Sequence, residues 1–253
     1  MTQPERRLWL IEWLLRERGE ALPIPGEAEE QQRLLRALLN LRPPMPASAD
    51  FLSVQDAYLQ EAIAQKGITD AASFTRGKNG LYLWRGDIVT LRCDAIVNAA
   101  NSALLGCFYP CHDCIDNAIH TFAGVQLRLC CQRLMQGGQE QVGRARITPG
   151  FNLPARYVLH TVGPCIAGKP TRLEREQLAA CYRSCLTLAR EKGLNSVALC
   201  CISTGEFHFP PEEAAQIALE TVRPFSSQMQ VILNVFRERD QSIYQRLLGA
   251  AEA

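Results

Sequence analysis

The chain has 253 residues, 47% of them hydrophobic, and a formal net charge of +1. That length buries a core of ordinary size, while the near-neutral charge offers no broad basic surface for counterion release on a nucleic-acid polymer. No apolar run approaches the roughly 18–20 residues that cross a bilayer, so the chain reads as a soluble globular protein with no membrane partner.

The N-terminal "MTQPERRLWLIEWLLRERGE" sets charges on both sides of a short apolar segment and has no small-residue cleavage signal, so export is not expected. Within it, "ERRLWLIEWLLRERG" puts Leu8, Ile11 and Leu15 in helical phase, and "EEQQRLLRALLNL" does the same for Leu34, Leu35, Leu38 and Leu39. A proline-rich connector, "RPPMPASAD", precedes a third helical segment from Asp50 to Gly67. Residues 1–75 therefore read as a helical extension, small for an independent unit and expected to pack against the rest of the chain.

From residue 80 the pattern changes to short β-rich runs, "LYLWRGDIV", "DAIVNAAN", "RYVLHTV", "SVALCCIST" and "QVILNVF", separated by helical stretches. Several runs are apolar without alternation, as strands are when helices cover both faces of a mainly parallel or mixed sheet. The expectation is a three-layer α/β/α domain over residues 76–253 with a central mixed sheet. Pro210, Pro211, Glu212 and Glu213 mark a helix start, and Gly193 closes the helix ending "LAREKG". Leu178, Cys181, Tyr182, Cys185 and Ala189 share one helix face at core spacing; Trp84 is expected in the core and "TRLEREQ" on a solvated face. Eleven cysteines, an odd number with adjacent pairs at Cys130-Cys131 and Cys200-Cys201, suit free thiols in a reducing, cytoplasmic compartment.

Ligands of open α/β sheets gather at the carboxyl ends of the strands. Three segments there share a chemistry: "NAAN" (Asn98 to Asn101), "HTVGP" (His160 to Pro164) and "STGEFHFP" (Ser203 to Pro210). Each offers small residues, amides or a glycine, which suits close backbone approach to phosphate oxygens. None matches the "GxxxxGK[ST]" or "GxGxxG" patterns, so the ordinary nucleoside-triphosphatase and dehydrogenase readings lose their support. Asn98 and Asn101 also suit a plain turn after a strand, and His160 and His208 are expected as hydrogen-bonded structural histidines.

The stretch "GCFYPCHDCIDNAIH", Gly106 to His120, concentrates three cysteines and two of the four histidines. Cys107, His112 and Cys114, spaced C-x4-H-x-C, form a borderline-soft N/S set that suits Zn²⁺, and three ligands leave a fourth tetrahedral position for water or substrate. Cys111 adjoins His112 and cannot easily share its ion, and His120 lies beyond a helical turn. A structural zinc or simply buried thiols are the other readings. A redox "CHDC" lacks its thioredoxin-like context. Asp116 reads, on its own, as a first-turn charge complementing the dipole of the helix "CIDNAIHTFAG".

Taken together, "RGDIVTLRCDAIVNAANSALLG", "RARITPGFNLPARYVLHTVGP" and "ISTGEFHFP" occur in an order and spacing that resembles the macrodomains, which bind ADP-ribose. The resemblance covers about residues 80–248 and implies Asp87 and Ile88 at the adenine, Phe236 on the adenine ring, and the loop Ser203, Thr204, Gly205, Glu206 and Phe207 around the diphosphate. Aligning "DNAIH" with the family's "DGCIH" puts Asp116 at the catalytic aspartate of the hydrolytic members and leaves Cys107, His112 and Cys114 as an insertion. That variant, with its N-terminal helices, is similar to the zinc-dependent macrodomains of bacteria and fungi. The resemblance implies hydrolysis of ADP-ribose from protein side chains, with an Asp/Glu ester as the expected linkage. Asn98 and Asn101 fall at the substrate, Asn101 on the ribose hydroxyls. Glu206 replaces a commonly apolar residue, as a specificity contact or a solvent-facing side chain. On family grounds the partner is an ADP-ribosylated protein such as a lipoyl carrier modified by a sirtuin-type transferase, and a monomer is expected. The competing reading is a module that binds ADP-ribose without cleaving it, its zinc bracing the loop.

Overall fold

The computed structural model describes residues 1–77 and 80–250; Lys78, Asn79 and residues 251–253, assigned by sequence to the second unit, lie outside them. Three helices come first, α1 (Gln3–Arg18), α2 (Ala28–Leu41) and α3 (Ala49–Lys66). Their ends are set locally. Thr2 and Glu5 form a capping box on α1, Gly19 closes it in the left-handed region, and the Ser48 hydroxyl accepts from Phe51 N to start α3. Leu10, Ile11, Leu14, Leu35, Leu38, Phe51 and Leu59 fill a core of their own between these helices. One side of α2 also packs on helix α4 (Ile115–Ala123), which ties the extension to the rest.

The chain then passes through a short parallel pair, β1 (Thr69–Asp70) with β3 (Leu91–Arg92), and builds a six-stranded sheet. Its strands are β2 (Tyr82–Arg85), β4 (Ala95–Ala99), β5 (Ala145–Pro149), β6 (Tyr157–Thr161), β7 (Ser196–Leu199) and β8 (Gln230–Val235), in the order β2-β8-β7-β4-β6-β5. All neighbours run parallel except β5, which lies antiparallel to β6 at the edge and makes the sheet mixed. Pro149 sits at the end of this edge strand, a position that tolerates the missing N–H. The inner strands β4, β7 and β8 are almost wholly buried, as continuous apolar runs require. Helices α6 (Arg172–Glu191), α7 (Pro211–Val222) and α8 (Glu238–Ala250) pack side by side as one layer, while α4 and α5 (Val125–Met135) pack together over β4 and β5 as the other.

Two sequence runs are shorter as strands than their apolar content suggests. "LYLWRGDIV" breaks after Arg85, because the Asp87 carboxylate accepts from Val89 N and starts a 3₁₀ turn. "SVALCCIST" leaves the sheet at Leu199, where Ile202 N turns back onto Cys200 O. Both breaks fall at carboxyl ends of strands, and they release the segments that face the site. Trp84 is half-buried against Phe74, with ring centroids 5.7 Å apart.

His160, on β6 beside the edge strand, is fully buried. Asn98 Nδ2 can only donate, so His160 Nδ1 accepts from it at 3.2 Å and Nε2 carries the proton toward Thr148 Oγ1 at 2.9 Å. Burial pushes this imidazole down to about 4. The folded protein thus holds His160 neutral while the unfolded chain takes up a proton near its ordinary value of about 6.5, so stability present above that pH is lost as pH falls toward 4. By pH 5 the loss amounts to about 2 kcal/mol. Comparing urea midpoints at pH 7 and pH 5, the wild type should lose about this much more than His160→Gln.

Candidate active site

The break at the end of β4 positions the central groups. Asn98, fully buried, donates through Nδ2 to Asp116 Oδ1 at 2.8 Å. Asn101 Nδ2 donates to the carbonyl of Gly106 at 2.9 Å and reaches Asp116 Oδ2 at 3.3 Å. The Asp116 carboxylate is therefore gripped at both oxygens by side-chain amides from one strand end. It is itself buried, in the first turn of α4. Burial raises its carboxyl to about 6, opposed by the Asn98 hydrogen bond and by the Arg128 charge.

The thiol of Cys114 caps the same helix, accepting from Asn117 N at 3.4 Å. The donor atoms of Cys107, His112 and Cys114 all lie within 4.8 Å of one another, and Cys107 Sγ stands 3.5 Å from His112 Nδ1. Tetrahedral zinc with Zn–S of about 2.3 Å and Zn–N of about 2.0–2.1 Å sets ligand atoms about 3.5 Å apart, so the donor set fits the ion. Burial pushes the Cys114 thiol up to about 12, and a cation among these donors reverses that preference. Cys111 stays out of the cluster: its thiol donates to the carbonyl of Arg33 at 3.3 Å. The other ring nitrogen of His112, Nε2, faces Glu206 Oε1 at 3.6 Å. Glu206, undecided from sequence, thus sits beside a metal-ligand candidate while its side chain stays 68% exposed.

The remaining expected residues line the same end of the sheet. Arg85 pairs with Val235 across β2 and β8, and Gly86 N donates to Val235 O, so Asp87 and Ile88 lie next to Phe236, whose ring is 67% exposed. Asp87 has partners already: Oδ1 accepts from Val89 N and Oδ2 pairs with Lys66 Nζ of α3 at 2.7 Å. In the loop after β7, Ser203 has φ 65°, Gly205 is open on its Cβ side, and Phe207 O accepts from Ile166 N of the loop after β6. The two loops touch where a Cβ on Gly163 would come 2.1 Å from Ser203 Oγ. The strands β8 and β4, which end near Phe236 and at the Asn98 partner of Asp116, are two strand spacings apart, roughly 10 Å.

Among the described residues, the buried side-chain polar atoms without a hydrogen-bond partner are Asn98 Oδ1, Asn101 Oδ1, Ser203 Oγ and both ring nitrogens of His120. All belong to this end of the sheet or to the α4 helix against it. Unsatisfied buried acceptors are costly, and their concentration makes this end of the sheet a candidate site for a polar ligand. Among the described residues, four of the six non-glycine residues with positive φ, Leu104, Cys111, Ser203 and His208, lie in the same loops.

The Macro domain family signature matches residues 97–218. A protein-ADP-ribose hydrolase of Treponema medium is 54% identical over 98% of this chain and 100% of its own length, and one of Staphylococcus aureus is 47% identical over 93% and 92%. The chain belongs to the macrodomain family. The crystal structure of a Trypanosoma brucei macrodomain in complex with ADP-ribose superposes with a TM-score of 0.64 at 30% identity, covering 84% of this chain and 95% of that one.

Arg128 escapes a reading of this macrodomain's sequence, and His120 enters that reading only as a residue lying beyond a helical turn from the metal-ligand candidates. Arg128 of α5 is buried and donates Nε to Leu105 O at 2.7 Å, and burial lowers it to about 10. A lone arginine between Leu127 and Leu129 was its only signal. His120, one helical turn beyond Asp116, has Nε2 3.6 Å from Asp116 Oδ1, too far for a hydrogen bond, and burial drives its basicity well down. Gly106 lies on its ring: at φ 79° a Cβ there would meet His120 Cγ at 2.7 Å. Gly106→Ala should therefore cost about 2 kcal/mol or more through the left-handed backbone and the clash, a fall in Tm of roughly 4–8 °C in a chain of this size. Thermal unfolding checks it.

Proposed function

We propose that this macrodomain hydrolyses the bond between C1 of the distal ribose and a protein side chain, releasing ADP-ribose. The observation that carries the reading is the Asp116 carboxylate, gripped by Asn98 and Asn101 one helical turn from a three-donor N/S cluster. Its relatives in Treponema medium and Staphylococcus aureus bear the name protein-ADP-ribose hydrolase, which supports the same reaction here.

The substrate lies along the carboxyl edge of the sheet. Phe236 stacks on the adenine, Asp87 accepts from its exocyclic amine, and Ile88 walls the base. The Ser203–Phe207 loop offers backbone N–H groups to the diphosphate. Asn101 Oδ1, buried and unpartnered, accepts from a ribose hydroxyl. Asp116 holds the attacking water and takes its proton as the water oxygen bonds to C1 and the C1–O bond to the leaving carboxylate breaks. A carboxyl raised to about 6 is still ionised at neutral pH yet more basic than a solvated one, which suits that role. Cys107, His112 and Cys114 would hold Zn²⁺, with Glu206 orienting the His112 ring. The ion, when bound, supplies Lewis acidity toward an oxygen of the distal ribose. An Asp or Glu ester on a protein such as a lipoyl carrier is the substrate we propose, on family grounds.

Incubation with a mono-ADP-ribosylated protein should release ADP-ribose, and a strong chelator should suppress the release. Binding of ADP-ribose without release would establish the non-catalytic module instead. Purified without chelator, the protein should carry about one zinc per chain, retained by Cys111→Ser and lost in Cys107→Ser and Cys114→Ser. Elemental analysis that finds no zinc in the wild type rejects the metal assignment.

Binding and turnover should also separate by position. Phe236→Ala removes a stacking face worth about 1–3 kcal/mol and weakens ADP-ribose binding accordingly, with zinc content unchanged. Asp116→Ala should lower kcat by about 10²–10⁴ with little change in affinity. Calorimetry and saturation kinetics distinguish the two.

A further inference from the structure

The segment that carries Cys107, His112 and Cys114 has no regular structure, and Cys111 in its middle holds φ 55°. Within the loop itself the backbone makes one turn bond, His112 N to Tyr109 O at 3.2 Å. What shapes it comes from outside. Cys111 N donates to Asn40 Oδ1 at 2.9 Å, Arg36 Nη2 donates to His112 O at 2.9 Å, and Asn117 Nδ2 donates to Tyr109 O at 3.0 Å.

Arg36 and Asn40 both belong to α2 and stand four residues apart, so they share one face of that helix with Arg33, whose carbonyl receives the Cys111 thiol. Asn40 is 1% exposed and uses both ends of its amide, Oδ1 on the loop and Nδ2 on Thr121 Oγ1 of α4 at 2.9 Å. Arg36 makes no ion pair among the described residues; Nε and Nη2 converge on Asn117 Oδ1 at 3.2 and 2.8 Å while Nη2 also holds His112 O. Asn117 in turn donates its backbone N–H to Cys114 Sγ. The backbone at His112 and the thiol of Cys114 are thus both tied, through one guanidinium, to a helix of the N-terminal extension.

We infer that α2 is the template of the metal centre: Arg36 and Asn40 are positioning residues that hold the 107–114 loop with its three donors converged before an ion arrives. This rests on the zinc reading proposed for Cys107, His112 and Cys114. Partners behind metal ligands typically change affinity by about 10- to 100-fold when removed, because the loop must then pay for its own ordering on binding.

The test uses the full chain and zinc alone, titrated against a chromophoric chelator. Arg36→Met, at a half-buried position, should weaken zinc at least about tenfold, and Arg36→Lys, which can still reach His112 O, should recover part of the loss. Asn40→Leu should match Arg36→Met if it folds. Leu35→Ala, in the helical core on the neighbouring face of α2, serves as the control: it should lower Tm and leave zinc affinity as it was. Unchanged affinity in Arg36→Met overturns the inference alone, as does an equal loss in Leu35→Ala, which would make the effect one of general stability. A wild type that binds no zinc removes the metal reading and this inference together.

Discussion

The hydrogen bond from Asn98 to Asp116 is the contact on which the site depends. It is buried, 2.8 Å long and made to a carboxylate, the class of hydrogen bond that is strongest and costliest to break. It fastens the first turn of α4 to the end of β4. That single attachment sets the carboxylate beneath the Asn101 amide and places the Cys114 cap over the same turn. The polypeptide between the two anchors, residues 99–115, then has to cross the site as a loop, and that loop carries Cys107, His112 and Cys114.

Around this attachment the molecule places little formal charge. Asp116 and Arg128 are the buried charged groups nearest the centre, and each modifies the other. The rest is amide and backbone chemistry: two asparagines with buried, unpartnered oxygens, a strained serine, and loops in which glycine admits close approach. Such a site works by orientation in a poorly hydrated setting, where fixed dipoles act strongly and need no reorganisation. The Cys107, His112 and Cys114 cluster at one end and the exposed Phe236 at the other give it polarity along the sheet edge.

The N-terminal helices are part of this arrangement and not an appendage. They have their own apolar core, so their folding is driven locally. Their contacts with the rest of the chain include specific polar ones. Arg36 and Asn40 meet the donor loop, Lys66 meets Asp87 at the far end, and Arg128 reaches back to accepting carbonyls at Leu39, Asn40 and Arg42. Polar contacts of this kind add register more than bulk stability, because their geometry is narrow.

Much of this was legible in sequence because it is periodic or local. The leucine phases of the first two helices, the caps, and the apolar runs of β4, β7 and β8 depend on neighbours a few residues away, so the chain alone determined the helical extension, the α/β class and the C-x4-H-x-C donor set. What the sequence could not decide was set by groups far apart along the chain. The antiparallel edge strand β5, the solitary arginine at 128, the ring of His120 under Gly106 and the position of Glu206 against His112 all acquire meaning only through contacts that lie outside any one helix or strand. Hydrogen bonds and burial are short-ranged in space and blind to sequence distance. A pattern within one helix or loop therefore reports which residues are available, and only the folded chain decides which of them meet.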